Sequence, residues 1–202
     1  MKNHLQFHWG KYLAAIVIPI VLWASVFSIL KKPAPNEKLS ILFVGEGLDT
    51  VSVQQEVERV LPELTDQKLQ SISISQAAPG NMGYFEFMHP QIFRYDIIII
   101  TQSQCLENTG QVLFRTIPQA LQDTFSFLPF YTESTEAGDR PYGLVICDGQ
   151  LNNRFSSFYE GSEICYLFFS PESENLAGKN GKGNPSDDCA LQIARYLLEI
   201  VN

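Results

Sequence analysis

The chain has 202 residues, 45% hydrophobic and 18% charged, a balance that belongs to a folded protein and excludes a disordered tail or a repeat array. All 22 acidic residues follow residue 32, so residues 33–202 carry 10 basic against 22 acidic side chains, a net −12. A domain of that sign is repelled by phosphate backbones and anionic lipid headgroups, which argues against nucleic acid and against a peripheral lipid-surface role.

Residues 12–30 form a run of 19 without a charge, and at 1.5 Å per residue a helix of that length spans about 28 Å, one hydrocarbon core. Trp9 and Tyr12 suit one interface and Lys31 and Lys32 can snorkel at the other, while Pro19 is tolerated in a membrane helix. A cleaved signal peptide needs a shorter core and small residues at the cleavage site, where Leu22-Trp23-Ala24 offers bulky ones. The flanking charges nearly balance, with Lys2 and Lys11 before the run and Lys31, Lys32 and Lys38 after it. A short leader before a long domain then sets the expected order. Residues 1–11 are a cytoplasmic leader, 12–30 a transmembrane signal anchor, 31–38 a Pro-containing linker and 39–202 an extracytoplasmic domain. Pro33-Ala34-Pro35-Asn36 is stiff and short, so the domain stays near the bilayer and the expected partner is a transporter or another membrane protein.

The domain opens with Leu39-Ser40-Ile41-Leu42-Phe43-Val44, a strand ended by Gly45-Glu46-Gly47. A helix follows, capped by Asp49 or Ser52, with Val53, Val57, Val60, Leu61 and Leu64 at helical spacing. Residues 69–75 alternate as a second strand with one buried face. Asp96-Ile97-Ile98-Ile99-Ile100-Thr101 predicts a third strand buried on both faces, a pattern that belongs to a parallel sheet. Residues 142–147 and 164–169 read as further strands separated by a polar stretch, 148–162. A Gly-rich loop, 177–185, leads to a final helix over 186–201 with Ser186 as its cap and Asp187 and Asp188 in its first turn. This order predicts an α/β fold, one open, mostly parallel βαβ domain after a single membrane helix. Ligands of such sheets sit beyond the carboxyl ends of the strands.

Three loops occupy those ends: 45–47, 76–81 and 102–105. Glu46, Gln76, Gln102, Ser103 and Tyr142 are the candidate ligand-binding residues, their amides, hydroxyls and carboxylates being suited to hydrogen-bonding a sugar or other small solute. Gly45-Glu46-Gly47-Leu48-Asp49-Thr50 starts like a dinucleotide fingerprint but has Thr50 where the third glycine belongs, so a tight strand-to-helix turn is the better reading. Cys105, Cys147, Cys165 and Cys189 show no CxxC spacing and no nearby histidine, which argues against a metal. An even number permits disulfides outside the cytoplasm, and buried thiols are the favoured state. His89 is the only histidine of the domain and lies in an aromatic stretch, so no catalytic residue, enzyme activity or cofactor is expected. Phe125-Ser126-Phe127-Leu128-Pro129-Phe130-Tyr131 is dense in aromatics, and Phe125, Phe127 and Phe130 are the candidate interface with a protein partner, unless they are core.

The strand, helix and strand pieces at 39–44, 53–64 and 71–75, the Asp96-initiated apolar strand, Tyr142-Gly143-Leu144-Val145 and Cys165-Tyr166-Leu167-Phe168-Phe169 resemble a family. It is the extracytoplasmic, sugar-type solute-binding proteins of bacterial ABC importers. The resemblance covers about residues 39–170, without a diagnostic motif, and about one lobe of the family's two fits in this length. It implies a truncated relative acting as an accessory or sensing subunit beside a transporter. The alternative is a non-enzymatic structural or interaction module that binds a membrane protein.

Overall fold

The computed structural model describes residues 2–30, 37–66, 68–77, 92–105, 109–114, 116–117, 119–173, 175–176 and 189–200. The chain divides into two compact units, Met1–Ala34 and Pro35–Asn202. The first holds one helix, α1 (Lys2–Leu30), with Pro19 inside it. Its stretch Trp9–Phe27 has a mean hydropathy of 1.8 and none of it is buried, so the helix is long and apolar enough to cross a membrane. Within it the Ser25 hydroxyl donates back to the Val21 carbonyl at 2.8 Å, so that donor is satisfied inside the helix.

The second unit is built on six strands: β1 (Lys38–Val44), β2 (Ser71–Ala77), β3 (Ile97–Thr101), β4 (Phe130–Thr135), β5 (Gly138–Cys147) and β6 (Cys165–Phe169). They form one sheet in the order β2-β1-β3-β6-β5-β4. β1 pairs in parallel with β2 and with β3, whereas β3/β6, β6/β5 and β5/β4 are antiparallel. The sheet is therefore mixed, a correction to the mostly parallel expectation. Strand β6 is as apolar as β3 because both lie inside the sheet, and burial on two faces does not record the direction of a neighbour. β4 had no counterpart in the sequence pattern, since Glu133 breaks its alternation from the buried side.

Helices α2 (Thr50–Leu64), α3 (Thr109–Leu113), α4 (Gln119–Thr124) and α5 (Cys189–Leu198) pack around the sheet. Asp49 caps α2 as expected, accepting from the Ser52 amide at 3.0 Å and the Ser52 hydroxyl at 2.6 Å. Val53, Val57 and Leu61 of α2 and Ala190, Ile193, Ala194 and Leu197 of α5 cover one face, over Leu39, Ile41, Phe43, Ile97, Ile99, Leu144 and Leu167. Each Val, Leu, Ile or Phe among them contributes about 1.5–3 kcal/mol on full burial. The other face collects Leu42, Val44, Ile98, Ile100, Phe114, Tyr142 and Phe168. The last helix is described from Cys189; its expected cap Ser186, the acids Asp187 and Asp188, the loop 177–185, the linker 31–36 and His89 lie outside the described residues.

Asp96 explains the start of β3. Its carboxylate is buried and accepts from the Ser40 amide at 2.8 Å and the Ser173 hydroxyl at 2.5 Å, tying β1 and the exit of β6 to the same point. The Phe125 to Tyr131 cluster does not form one surface. The turn after α4 drives Phe125 into the core at 0% exposure, Phe130 is half-buried against that core, and Phe127 alone stands out at 54%.

Arg154 holds the helix layer together. Its guanidinium lies 4.1 Å above the Tyr196 ring and pairs with Glu56 at 3.3 Å and Glu199 at 3.0 Å, and the Tyr196 hydroxyl donates to Glu56. Arg59, Tyr196 and Arg154 together hold the Glu56 carboxyl below the usual carboxylate range.

Candidate functional site

β1 and β3 end on the same edge of the sheet, the edge on which β6 begins, with Thr101 and Cys147 both opposite Cys165. Three segments meet there: Gly45-Glu46-Gly47 after β1, the single turn Gln102–Gln104 after β3, and residues 159–163 leading into β6. Between them lies an open cleft of about 400 Å³ lined by Glu46, Gly47, Thr101, Ser103, Tyr159, Glu160, Gly161, Ser162 and Glu163. That size lies within the range of small-molecule sites, about 300–1,000 Å³.

The third segment falls largely in the polar stretch 148–162 of the sequence, yet it is the wall of the site. Phe155–Phe158 forms a short 3-10 turn, with Phe155 buried. Asn153 is buried beside it, and its side-chain amide donates to the Ile146 carbonyl at 2.7 Å while its side-chain oxygen accepts from the Ser156 amide at 2.8 Å. The aromatics Phe155, Phe158 and Tyr159 inside a polar run were the available sign. The wall is fastened to the β1 loop through Leu48 opposite Tyr159, with the Asp49 amide donating to the Phe158 carbonyl at 3.0 Å and the Glu160 amide donating to the Gly47 carbonyl at 2.8 Å. Gly47 permits this seam. Its φ is +88°, and a Cβ there would lie 2.8 Å from the Gly161 nitrogen.

The cleft is anionic. Glu46, Glu160 and Glu163 reach it, and its lining carries no Lys, Arg or His among the described residues. Glu163 accepts from the Ser103 amide at 3.0 Å, and the Ser103 hydroxyl and amide hold its carboxyl below the usual range. Burial first, and then the neighbouring Cys165 thiol, push the Tyr159 hydroxyl well above the ordinary tyrosine value, so it stays protonated. Three carboxylates beside Thr101, Ser103, Ser162 and Tyr159 suit a ligand rich in hydroxyl or amino groups and disfavour phosphates.

Of the residues singled out from sequence, the structure brings Glu46 and Ser103 together in the cleft. Gln76 instead donates to the Gly45 carbonyl at 2.9 Å, bracing the loop from behind. Gln102 is exposed, and its amide donates to the Ile164 carbonyl at 2.8 Å. Tyr142 lies in the middle of β5, 7% exposed, against Gly110 on the opposite face. Tyr142 is correspondingly a core residue, because it sits mid-strand on the face away from α2 and α5, and β5 reaches the cleft edge only at Cys147.

Compared with family models, with curated proteins and with solved structures, the chain gives no match. Among the described residues no group of three or more His, Cys, Asp or Glu side chains is placed to hold a metal ion. The structure joins none of the four cysteines in a disulfide, and three of them, Cys147, Cys165 and Cys189, are buried.

Proposed function

We propose that this chain is a membrane-anchored extracytoplasmic accessory or sensing protein, related to the solute-binding proteins of importers, whose cleft binds a small hydroxyl-bearing solute such as a sugar. The observation that carries the reading is the polar cleft at the carboxyl ends of β1 and β3, where open sheets with parallel strands hold their ligands. The helix α1 supports the anchor, being apolar over Trp9–Phe27. Under this reading Glu46 and Glu160 accept from ligand hydroxyls, and Ser103 and Ser162 donate or accept.

A thermal-shift screen of the full-length chain in detergent against sugars, amino acids and short peptides tests the proposal. A ligand at 100 times its Kd adds about 2.7 kcal/mol, a rise on the order of 5–10 °C for a domain of this size. Glu46→Gln and Ser103→Ala remove the shift while leaving the unliganded midpoint in place. No shift from any class, in a chain that melts cooperatively, overturns the solute reading. What then remains is an interaction module for a membrane protein partner, for which exposed Phe127 is the first residue to change.

A further inference from the structure

We propose that Cys147 and Cys165 are a disulfide-forming pair that joins β5 to β6 directly beneath the cleft. The register makes the two residues Cα partners across antiparallel strands, with a bulge between Val145 and Cys147. The bulge sets Ile146 and Cys147 together against one residue of β6, and both Cys147 and Cys165 turn into the helix-covered core. Directly opposed residues of an antiparallel pair have Cα atoms about 4.5–5.5 Å apart, inside the span of about 4.4–6.8 Å that a disulfide takes. Cys105 packs on the other face of the sheet, and Cys189 lies on α5 in the helix layer.

The position matters because Cys165 is already coupled to the cleft. Its thiol lies near enough to the Tyr159 hydroxyl to help raise it, and donates to the Glu163 carbonyl at 3.8 Å. Tyr159 and Glu163 both line the cleft, and Thr101, also in the lining, is the neighbour of Cys165 on β3. A bond to Cys147 removes the thiol proton given to the Glu163 carbonyl.

The chemistry is thiol–disulfide exchange with an external disulfide, either glutathione disulfide or that of an oxidoreductase. One cysteine thiolate attacks a sulfur of the external disulfide, forming a mixed disulfide and releasing one external thiolate. The second cysteine thiolate then attacks the protein-side sulfur, closing the Cys147–Cys165 bond and releasing the other. Two protons leave the protein and two electrons reduce the external disulfide. In the closed domain Cys165 is fully buried, and burial pushes its thiol up to about 12. Exchange therefore belongs to the folding chain, before β5 and β6 close over the sulfurs. The supply of oxidant in the cell rests on the extracytoplasmic placement proposed above.

The test is refolding of the full-length chain, reduced and denatured, into detergent with a glutathione and glutathione disulfide buffer. Thiols are then trapped with N-ethylmaleimide in denaturant and the chain is digested without reductant. The expected result is a linked Cys147–Cys165 peptide with Cys105 and Cys189 alkylated, and a melting midpoint on the order of 10 °C above that of chain refolded in reductant. Four alkylated thiols, or any other pairing, overturns the proposal. The same trapping on chain taken from its own membrane, with protease treatment of intact cells reporting the side of the domain, separates the two readings. An outside domain with four alkylated thiols overturns the disulfide. A domain protected from protease overturns the placement, and the pairing is then decided by the refolded chain.

Discussion

Two glutamates, one in each half of the sheet, are held in opposite ways. On the parallel side, β1 and β3 end in loops that leave Glu46 exposed in a cleft. On the antiparallel side, Glu133 of β4 is buried and accepts three hydrogen bonds, from the Gly110 amide at 2.7 Å, the Gln111 amide at 2.9 Å and the Tyr131 hydroxyl at 2.7 Å. Glu133 thereby caps the short helix α3 from across the sheet, where every oxygen it offers is used within the protein. The contrast teaches that acidity alone does not mark a site. A carboxylate whose acceptors are satisfied by the protein holds structure, and one left open can meet a ligand.

The largest test of this comparison falls on the seam between the halves. Phe168 of β6 is fully buried, stacks on Phe114 at 4.4 Å and covers Gly143. Phe168→Ala is expected to cost about 3–5 kcal/mol in chemical denaturation, because a cavity there is shared by both halves. A loss confined below about 1 kcal/mol would mean that the halves do not share one core. Gly47→Ala comes next, at about 1–3 kcal/mol, since it forces a left-handed backbone and meets the Gly161 backbone. It should also release residues 158–160 from the β1 loop, read as faster proteolysis at the cleft wall.

A sharper contrast uses one chemical change at two places. Glu133→Gln is expected to cost about 1–3 kcal/mol, because its NH2 replaces one carboxylate oxygen and leaves a backbone amide without its acceptor, whereas exposed Glu46→Gln stays within about 0.5 kcal/mol. Equal effects at the two positions would erase the distinction. The smallest effect is the response to acid. The Glu163 carboxyl is held low by Ser103 and the Glu56 carboxyl by Arg59 and Tyr196. A folded-state value below the unfolded one means that the unfolded chain binds protons first as pH falls. The stability these groups contribute is thus present above about pH 4.3 and lost as pH drops through their lowered values. A melting profile from pH 6 to pH 3 should show that decline, and Glu163→Gln should make it shallower.

The sequence carried the parallel half well, because each of its signals is local. Leu39 to Val44, the cap at Asp49 and the Ile97 to Ile100 run are each set by neighbours a few residues away. The antiparallel half depends on pairings between distant segments. Nothing near Phe130 to Thr135 announces a strand whose partner is Gly138 to Leu144 and whose buried glutamate caps a helix twenty residues earlier. The cleft divides along the same line. Glu46 and Ser103 were legible because they sit on the loops that follow apolar strands, while Tyr159, Glu160 and Glu163 come from a segment positioned by Leu48, Asn153 and Arg154. Phe125 and Phe127 show the limit of composition: two rings, two residues apart, one in the core and one in solvent.

Arg154 binds α2, α5 and the start of the cleft wall through a single guanidinium, with its own amide donating to the Glu199 carbonyl at 3.0 Å. Segments joined in that way open together or not at all, so their amide protons should exchange with deuterium as one cooperative block. The wall beside the cleft would then share the slow exchange of the two helices, and an irregular stretch of chain would behave, on the timescale of hours, like secondary structure.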